Sequence, residues 1–133
     1  MSQFSFSKRE RLKSRKQIDA LFSEGKGYHA FPVKMNCRLF PVSEAQPAGM
    51  LAGVSAPKRS FKKAVDRNRI KRLLREAYRL QKAPLLQLME ERHTAGHVFF
   101  LYTGKELLTF EQVHAAMAKC LQQLQRRINE IPV

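Results

Sequence analysis

Apolar and polar positions recur along the chain in short blocks, and the period of each block predicts its element. Ser14 followed by Gln17 fits a capping box, Ile18, Leu21 and Phe22 give one apolar stripe, and Gly25 stops it, so the spacing predicts a short helix from Ser14 to Glu24. Phe31, Val33, Met35, Cys37 and Leu39 alternate with Pro32, Lys34, Asn36, Arg38 and Phe40, the period of a strand with one apolar face. Pro41 to Gly49 is rich in turn residues and reads as a loop, and Met50 to Ala56 is expected to return antiparallel before Pro57 ends it. Ile70, Leu73, Leu74 and Ala77 fall at i, i+3, i+4 and i+7, one buried helix face. Pro84 sits where a further short segment can begin, with Leu85, Leu86, Leu88 and Met89 apolar and an end expected before Gly96. His97 to Tyr102 is a continuous apolar run, as expected of a central strand buried on both faces. Thr109 with Gln112 repeats the capping-box spacing, and Val113, Met117, Cys120, Leu121, Leu124 and Ile128 follow at helical spacing, with Arg126 and Arg127 near the end, where cations suit the helix dipole. Helix, two or three strands, helix, strand, helix is an α+β two-layer sandwich of order α-β-β-β-α-β-α. At 133 residues the chain is expected to be one domain, 1–133, with a basic, partly extended segment over 1–13.

Charge changes the picture. Lys and Arg number 25 against 11 Asp and Glu, a formal net charge of +14, which opposes compaction and attracts RNA, DNA or an anionic membrane. Much of it gathers on the helix of Ile70. Arg67, Lys71, Arg75 and Arg79 form an i+4 row beside the apolar face, with Asn68 and Arg72 next to the row. Asp66, placed at the expected helix start, and Glu76 are the only acids near to relieve the repulsion. A solvated face usually mixes signs and favours lysine; an arginine-rich face with one Asn embedded offers planar forks suited to phosphate and to base edges, and reads as a polyanion-binding face. Lys34, Asn36 and Arg38 give the strand a cationic outer side that can lie on a nucleic-acid backbone, although an exposed antiparallel face is also normally polar.

Other chemistry is excluded or unmarked. The 2 cysteines, Cys37 and Cys120, lie in apolar patterns without ligand spacing, and the 4 histidines are dispersed without a paired carboxylate or nucleophile, so they are expected to be satisfied or exposed. No catalytic and no metal-ligating constellation is visible. No apolar run is long enough to span a bilayer and no signal segment opens the chain, so no membrane partner and a cytoplasmic location are expected.

Lys63-Ala64-Val65-x-Arg67-Asn68-x-x-Lys71-Arg72-x-x-Arg75-Glu76 resembles the RNR signature of the bacterial ribonuclease P protein family. The order Phe6-x-Lys8, Arg11-Leu12, Phe22 and Gly25 is similar to that family's N-terminal region, with Ile18 standing where an aromatic is often found. Where the family commonly has a Gly shortly before the Ala-Val, this chain reads Phe61-Lys62-Lys63. The resemblance implies a small basic subunit of an endoribonuclease that removes 5′ leaders from precursor tRNA, with the chemistry on a large RNA. It implies ribonuclease P RNA and precursor tRNA as partners, with no obligate protein partner evident. No cofactor is expected on the protein alone; magnesium would enter the holoenzyme through the RNA. By resemblance, Arg67, Asn68, Arg69, Lys71, Arg72 and Arg75 would contact the RNA subunit, with Lys58, Arg59, Lys62 and Lys63 adding phosphate contacts at the helix entrance. Phe22, Lys34, Asn36 and Arg38 would face the leader, although the residues themselves leave Phe22 open as a plain core side chain. The general rule for a strand-helix-strand crossover is right-handed; the resemblance implies a left-handed one here.

Two rival readings fit the same composition. One is a ribosomal or other structured-RNA-binding protein without an enzymatic assembly, against which only the Arg-Asn-Arg signature speaks. The other is a DNA regulator that lays the basic helix in the major groove, for which a turn-linked helix pair before that helix is missing.

Overall fold

Each predicted block folds where its period requires, and the neighbours it finds decide how much is buried. The computed structural model describes Phe6 and residues 8–131; the expectation for the segment 1–13 therefore lies partly outside the described residues. A 3-10 turn at Lys8–Glu10 leads to α1, Arg15–Glu24, whose Gln17 N–H donates to the Ser14 hydroxyl at 3.3 Å. Strands β1, Lys26–Ala30, β2, Val33–Pro41, and β3, Gly49–Ser55, follow. Helices α2, Ala64–Gln81, and α3, Ala83–Glu91, precede β4, Thr94–Tyr102, and α4, Phe110–Asn129, closes the fold. The described end of the basic segment is held at Leu12, whose N–H donates to the Ala52 carbonyl at 2.9 Å and whose side chain is buried.

The four strands lie in the order β1-β2-β4-β3. β2 is antiparallel to β1 and to β4, and β3 is parallel to β4. β3 therefore runs antiparallel to β2, as expected of the Met50 return strand, but it pairs with β4, which sits between β2 and β3. β4 is apolar on both faces and takes the centre of the sheet, where both faces are covered; the loop over 42–48 is long enough to carry β3 past it. Two further corrections concern a boundary and an added helix. Phe31 and Pro32 form the turn between β1 and β2 instead of opening β2. α3 adds a helix to the expected order, while β1, which has no apolar alternation to announce it, completes the three strands expected before the basic helix.

The core fills one side of the sheet. Val33, Met35 and Cys37 of β2, Met50 and Ala52 of β3, and Val98, Phe100 and Tyr102 of β4 are buried beneath α2, α3 and α4. From α4 come Val113, Met117, Cys120, Leu121, Leu124 and Ile128, the full predicted stripe. Both halves of its capping box form, with the Gln112 N–H on the Thr109 hydroxyl at 3.2 Å and the Thr109 N–H on the Gln112 side chain at 2.9 Å. Its other end is held by Arg92, whose Nη2 donates to the carbonyls of Ile128, Asn129 and Ile131. Arg127 does more than suit the dipole: its guanidinium reaches back to the carbonyls of Lys26 and Gly27 and to the Cys37 sulfur, tying α4 to the sheet edge. Both thiols are buried, and burial pushes their pKa up, that of Cys120 to about 12.

On α2 the buried positions are Ile70, Leu74, Ala77 and Tyr78; Leu73, expected on that face, is only half-buried at its margin. Tyr78 lies one turn after Leu74 and takes the inner position, with its ring 5.5 Å from that of Phe100. Leu74→Ala should therefore cost about 2–5 kcal/mol, and Leu73→Ala about 1 kcal/mol, read as the shift in the urea midpoint at constant slope. Equal losses at the two positions would mean that the helix is rotated from the orientation described.

Candidate RNA interface

The cationic side of α2 points away from the core. Asn68, Arg69 and Arg72 are exposed, and Lys71 and Arg75 are half-buried at the edge of a groove. The helix starts at Ala64, so Asp66 lies in its first turn, where the positive end of the dipole favours an acid. Glu76 is taken up by Arg79, 2.5 Å away, and this hydrogen bond holds its carboxyl below the usual range. Arg67 has a different task from its neighbours. Its Nη1 donates to the carbonyls of Phe61 and Lys62, both at 2.8 Å, while the Phe61 ring is buried with its centroid 5.7 Å from that of Tyr102. The loop before the helix is thereby closed on itself, and Lys58, Arg59, Lys62 and Lys63 stand exposed around it. Val65, 70% exposed, stands in the first turn of the helix that follows.

The second surface is the side of the sheet away from the core. The pairing register sets Lys34 beside Leu101, Asn36 beside Phe99 and Arg38 beside His97, so the predicted strand residues share one face. α1 lies across part of it. Leu21 is buried there, while Phe22 is 48% exposed with its edge on the Phe99 ring, centroids 5.3 Å apart. It is not a plain core residue. Lys34 is exposed and Asn36 half-buried. Arg38 is engaged: it pairs with Glu24 of α1 at 2.6 Å and its guanidinium sits 4.7 Å over the Phe40 ring. His97, expected to be satisfied or exposed, is instead buried with no partner for Nδ1, and burial, then Arg38, lowers its pKa.

A cavity of about 400 Å³ joins the two surfaces. Arg11 and Ile18 stand on one side, Gly53 and Phe99 form the floor, and Lys71 and Arg75 of α2 close the other side. Burial and the neighbouring Arg11 push the Arg75 guanidinium below its ordinary pKa, and the buried Arg11 Nε has no hydrogen-bond partner. The N-terminal wall is fastened by Glu10, which pairs with Lys82, only 2% exposed, and by Phe6, edge-on to Tyr78 with centroids 5.4 Å apart. A groove with cations on both sides and an aromatic floor can hold a phosphate backbone with its bases turned inward. Among the described residues no group of three or more His, Cys, Asp or Glu comes together as a metal site, and no helix is long and apolar enough to cross a membrane.

Sequence and fold both have counterparts among known proteins. Residues 6–125 match a family model described as Ribonuclease P. The chain belongs to the ribonuclease P protein family. It is 42% identical to the ribonuclease P protein component of Porphyromonas gingivalis over 118 residues, covering 89% of this chain and 85% of the relative. With that of Chlorobium phaeobacteroides the identity is 31% over 137 residues, covering 96% and 91%. The solved ribonuclease P proteins of Thermotoga maritima and Staphylococcus aureus share the fold. Each superposes with a TM-score of 0.65, at 22% and 17% identity, over 86% of this chain and 97% and 94% of theirs.

The groove of this ribonuclease P protein is lined by residues that were not among the site candidates read from its sequence. Arg11 and Phe99 line the groove but belong to segments far from the RNR signature. One signal was available. Gly53 interrupts an otherwise regular strand, and a Cβ there would lie 2.8 Å from the Phe99 ring, the close approach that a strand glycine often marks. The family's usual glycine before the Ala-Val is replaced here by Phe61-Lys62-Lys63, and the Arg67 clasp on the Phe61 and Lys62 carbonyls shows how this version of the loop is held.

Proposed function

We propose that this ribonuclease P protein binds ribonuclease P RNA through the outer side of α2 and the loop before it, and holds the 5′ leader of precursor tRNA in the groove that continues onto the sheet. Asn68, Arg69, Lys71, Arg72 and Arg75 meet the RNA subunit, with Lys58, Arg59, Lys62 and Lys63 adding phosphate contacts; Arg67 shapes the loop that presents them. Phe22, Lys34, Asn36 and Arg38 face the leader. The observation that carries this reading is the continuity of the groove, which puts Lys71 and Arg75 of the basic helix and the Phe99 floor of the sheet face on one path. An enzyme whose RNA and substrate are both polyanions needs such a path, because cations between them offset phosphate repulsion.

Hydrolysis is assigned to the RNA subunit, with magnesium ions held there to activate water and stabilise the leaving oxygen. In support, three acids beside the interface are engaged with cations, Glu24 with Arg38, Glu76 with Arg79 and Glu10 with Lys82, and Asp66 stands in the first turn of α2, where the helix dipole favours it. The cytoplasm, where precursor tRNA is matured, is the location this function requires. The test is reconstitution. Purified protein free of RNA should cleave nothing, and added to ribonuclease P RNA at low magnesium it should restore leader release. Cleavage of precursor tRNA by the protein alone would overturn the assignment of chemistry, and failure to restore release would favour a structured-RNA-binding role outside this enzyme.

A further inference from the structure

Phe31 is 65% exposed, more than Phe22, yet it stands in a turn whose backbone is hydrogen-bonded on both sides. Ala30 pairs with Val33 on either side of the turn, and the Thr103 N–H donates to the Pro32 carbonyl at 2.7 Å. The His29 ring nitrogen Nε2 lies 2.9 Å from the Thr103 hydroxyl oxygen. A single exposed apolar residue usually needs no explanation. This one is displayed at the end of a row. From Phe22 on Phe99, the cleft face continues through the Asn36–Phe99 pair to the Lys34–Leu101 pair and then to the turn. At about 3.3 Å per residue the turn lies roughly 15 Å beyond the Asn36 rung. Lys34, three residues after Phe31, is exposed, and so is Lys105, two residues after the Thr103 that holds the turn. An exposed ring on a held turn, with exposed lysines nearby in the chain and at the end of the row that leads from the aromatic cleft, matches the way single strands are bound without sequence preference, with cations along the backbone and successive bases on ring faces.

We propose that Phe31 is a second stacking platform of the cleft, taking an unpaired leader base farther from the cleavage site than the base that rests on Phe22. The inference depends on the leader reading given above. It gives this chain an anchor at the far end of the sheet, so that affinity grows again once the leader is long enough to reach the turn.

The experiment uses the holoenzyme reconstituted from ribonuclease P RNA and full-length protein, with binding curves for mature tRNA and for precursors of graded leader length. Phe31→Ala should lose roughly 5- to 100-fold in affinity for long-leader substrate, and nothing for mature tRNA or for leaders of a nucleotide or two. Leaders of intermediate length should be penalised by Phe22→Ala and not by Phe31→Ala. Phe31→Trp should keep wild-type affinity, and because the chain has no other Trp its fluorescence should be quenched by long-leader substrate alone. If Phe31→Ala binds every substrate like wild type, or loses affinity for all of them alike, the platform is wrong; in the second case the ring touches the RNA subunit or supports the fold. Phe22→Ala measured in parallel separates the two levels: a leader-dependent loss at Phe22 but not at Phe31 sinks this inference alone, whereas no leader dependence at either position sinks the leader cleft itself.

Discussion

Changing Arg69, Lys71 and Arg72 together to Ala is expected to weaken binding to ribonuclease P RNA by on the order of 10²-fold or more at about 0.15 M salt, given about 1.5–3 kcal/mol per hydrogen bond to a charged group, while leaving the melting temperature nearly unchanged. Arg69 and Arg72 are exposed, Lys71 lines the groove, and none of the three reaches the core formed by Ile70, Leu74, Ala77 and Tyr78. Removing mutually repelling cations even relieves the helix slightly. The slope of log K against log salt should flatten by a little under about 1 for each phosphate that is no longer neutralised. Arg67→Ala should behave differently. Its guanidinium holds the Phe61 and Lys62 carbonyls, so its loss combines weaker binding with a measurable drop in stability, and Lys, which lacks the planar fork, should restore it only in part. Should the triple variant melt several degrees lower while Arg67→Ala does not, the roles of the two groups are reversed.

What the sequence made legible here is what depends on period. α4 and the apolar side of β2 were readable because each buries one continuous stripe, and a stripe of fixed spacing has one solution. The cationic side of α2 was readable for the same reason, as the complement of its buried face. Sheet order was not, since β2 and β3 are neighbours in sequence and either hydrophobic pattern would accept the other as a partner; what separates them is β4, whose two apolar faces compete better for the central place. Tyr78 is buried where Leu73 was expected because a margin position is decided by neighbouring elements, here Phe100 of β4 and Phe6 of the N-terminal segment. The groove was the least legible part. Its walls come from Arg11, Gly53, Phe99 and Arg75, and no local pattern links residues so far apart in the chain. His97 likewise gave no sign in its apolar run that its Nδ1 would be buried without a partner.

If the strand face holds the leader as proposed, changes there are expected to separate leader binding from RNA binding in general. Lys34, Asn36 and Arg38 share a side because alternate residues of β2 point the same way, and Lys34 and Asn36 are the two of them that form no ion pair with α1. Lys34→Ala with Asn36→Ala should weaken affinity for precursor tRNA by about 10- to 100-fold, or about 1.4–2.8 kcal/mol, while affinity for mature tRNA stays within a factor of two or so. Only the precursor carries a leader, so the ratio of the two affinities is the measurement. Arg38 has to be treated apart. Its head is held by Glu24 and lies over Phe40, so Arg38→Ala also releases the C-terminal end of α1 and with it Phe22, which stands in the last turn of that helix. An exposed pair of this kind contributes about 0–1 kcal/mol to stability, and the larger effect of losing it should be on where Phe22 stands. Glu24→Gln tests this, because it loosens α1 but leaves the Arg38 charge on the face: a leader-dependent loss in Glu24→Gln would show that Arg38 acts by positioning Phe22, and an unchanged ratio would show that Arg38 meets the leader through its own charge. A loss shared equally by precursor and mature tRNA in the Lys34 and Asn36 variant would make this face a general phosphate patch and remove the leader from the groove.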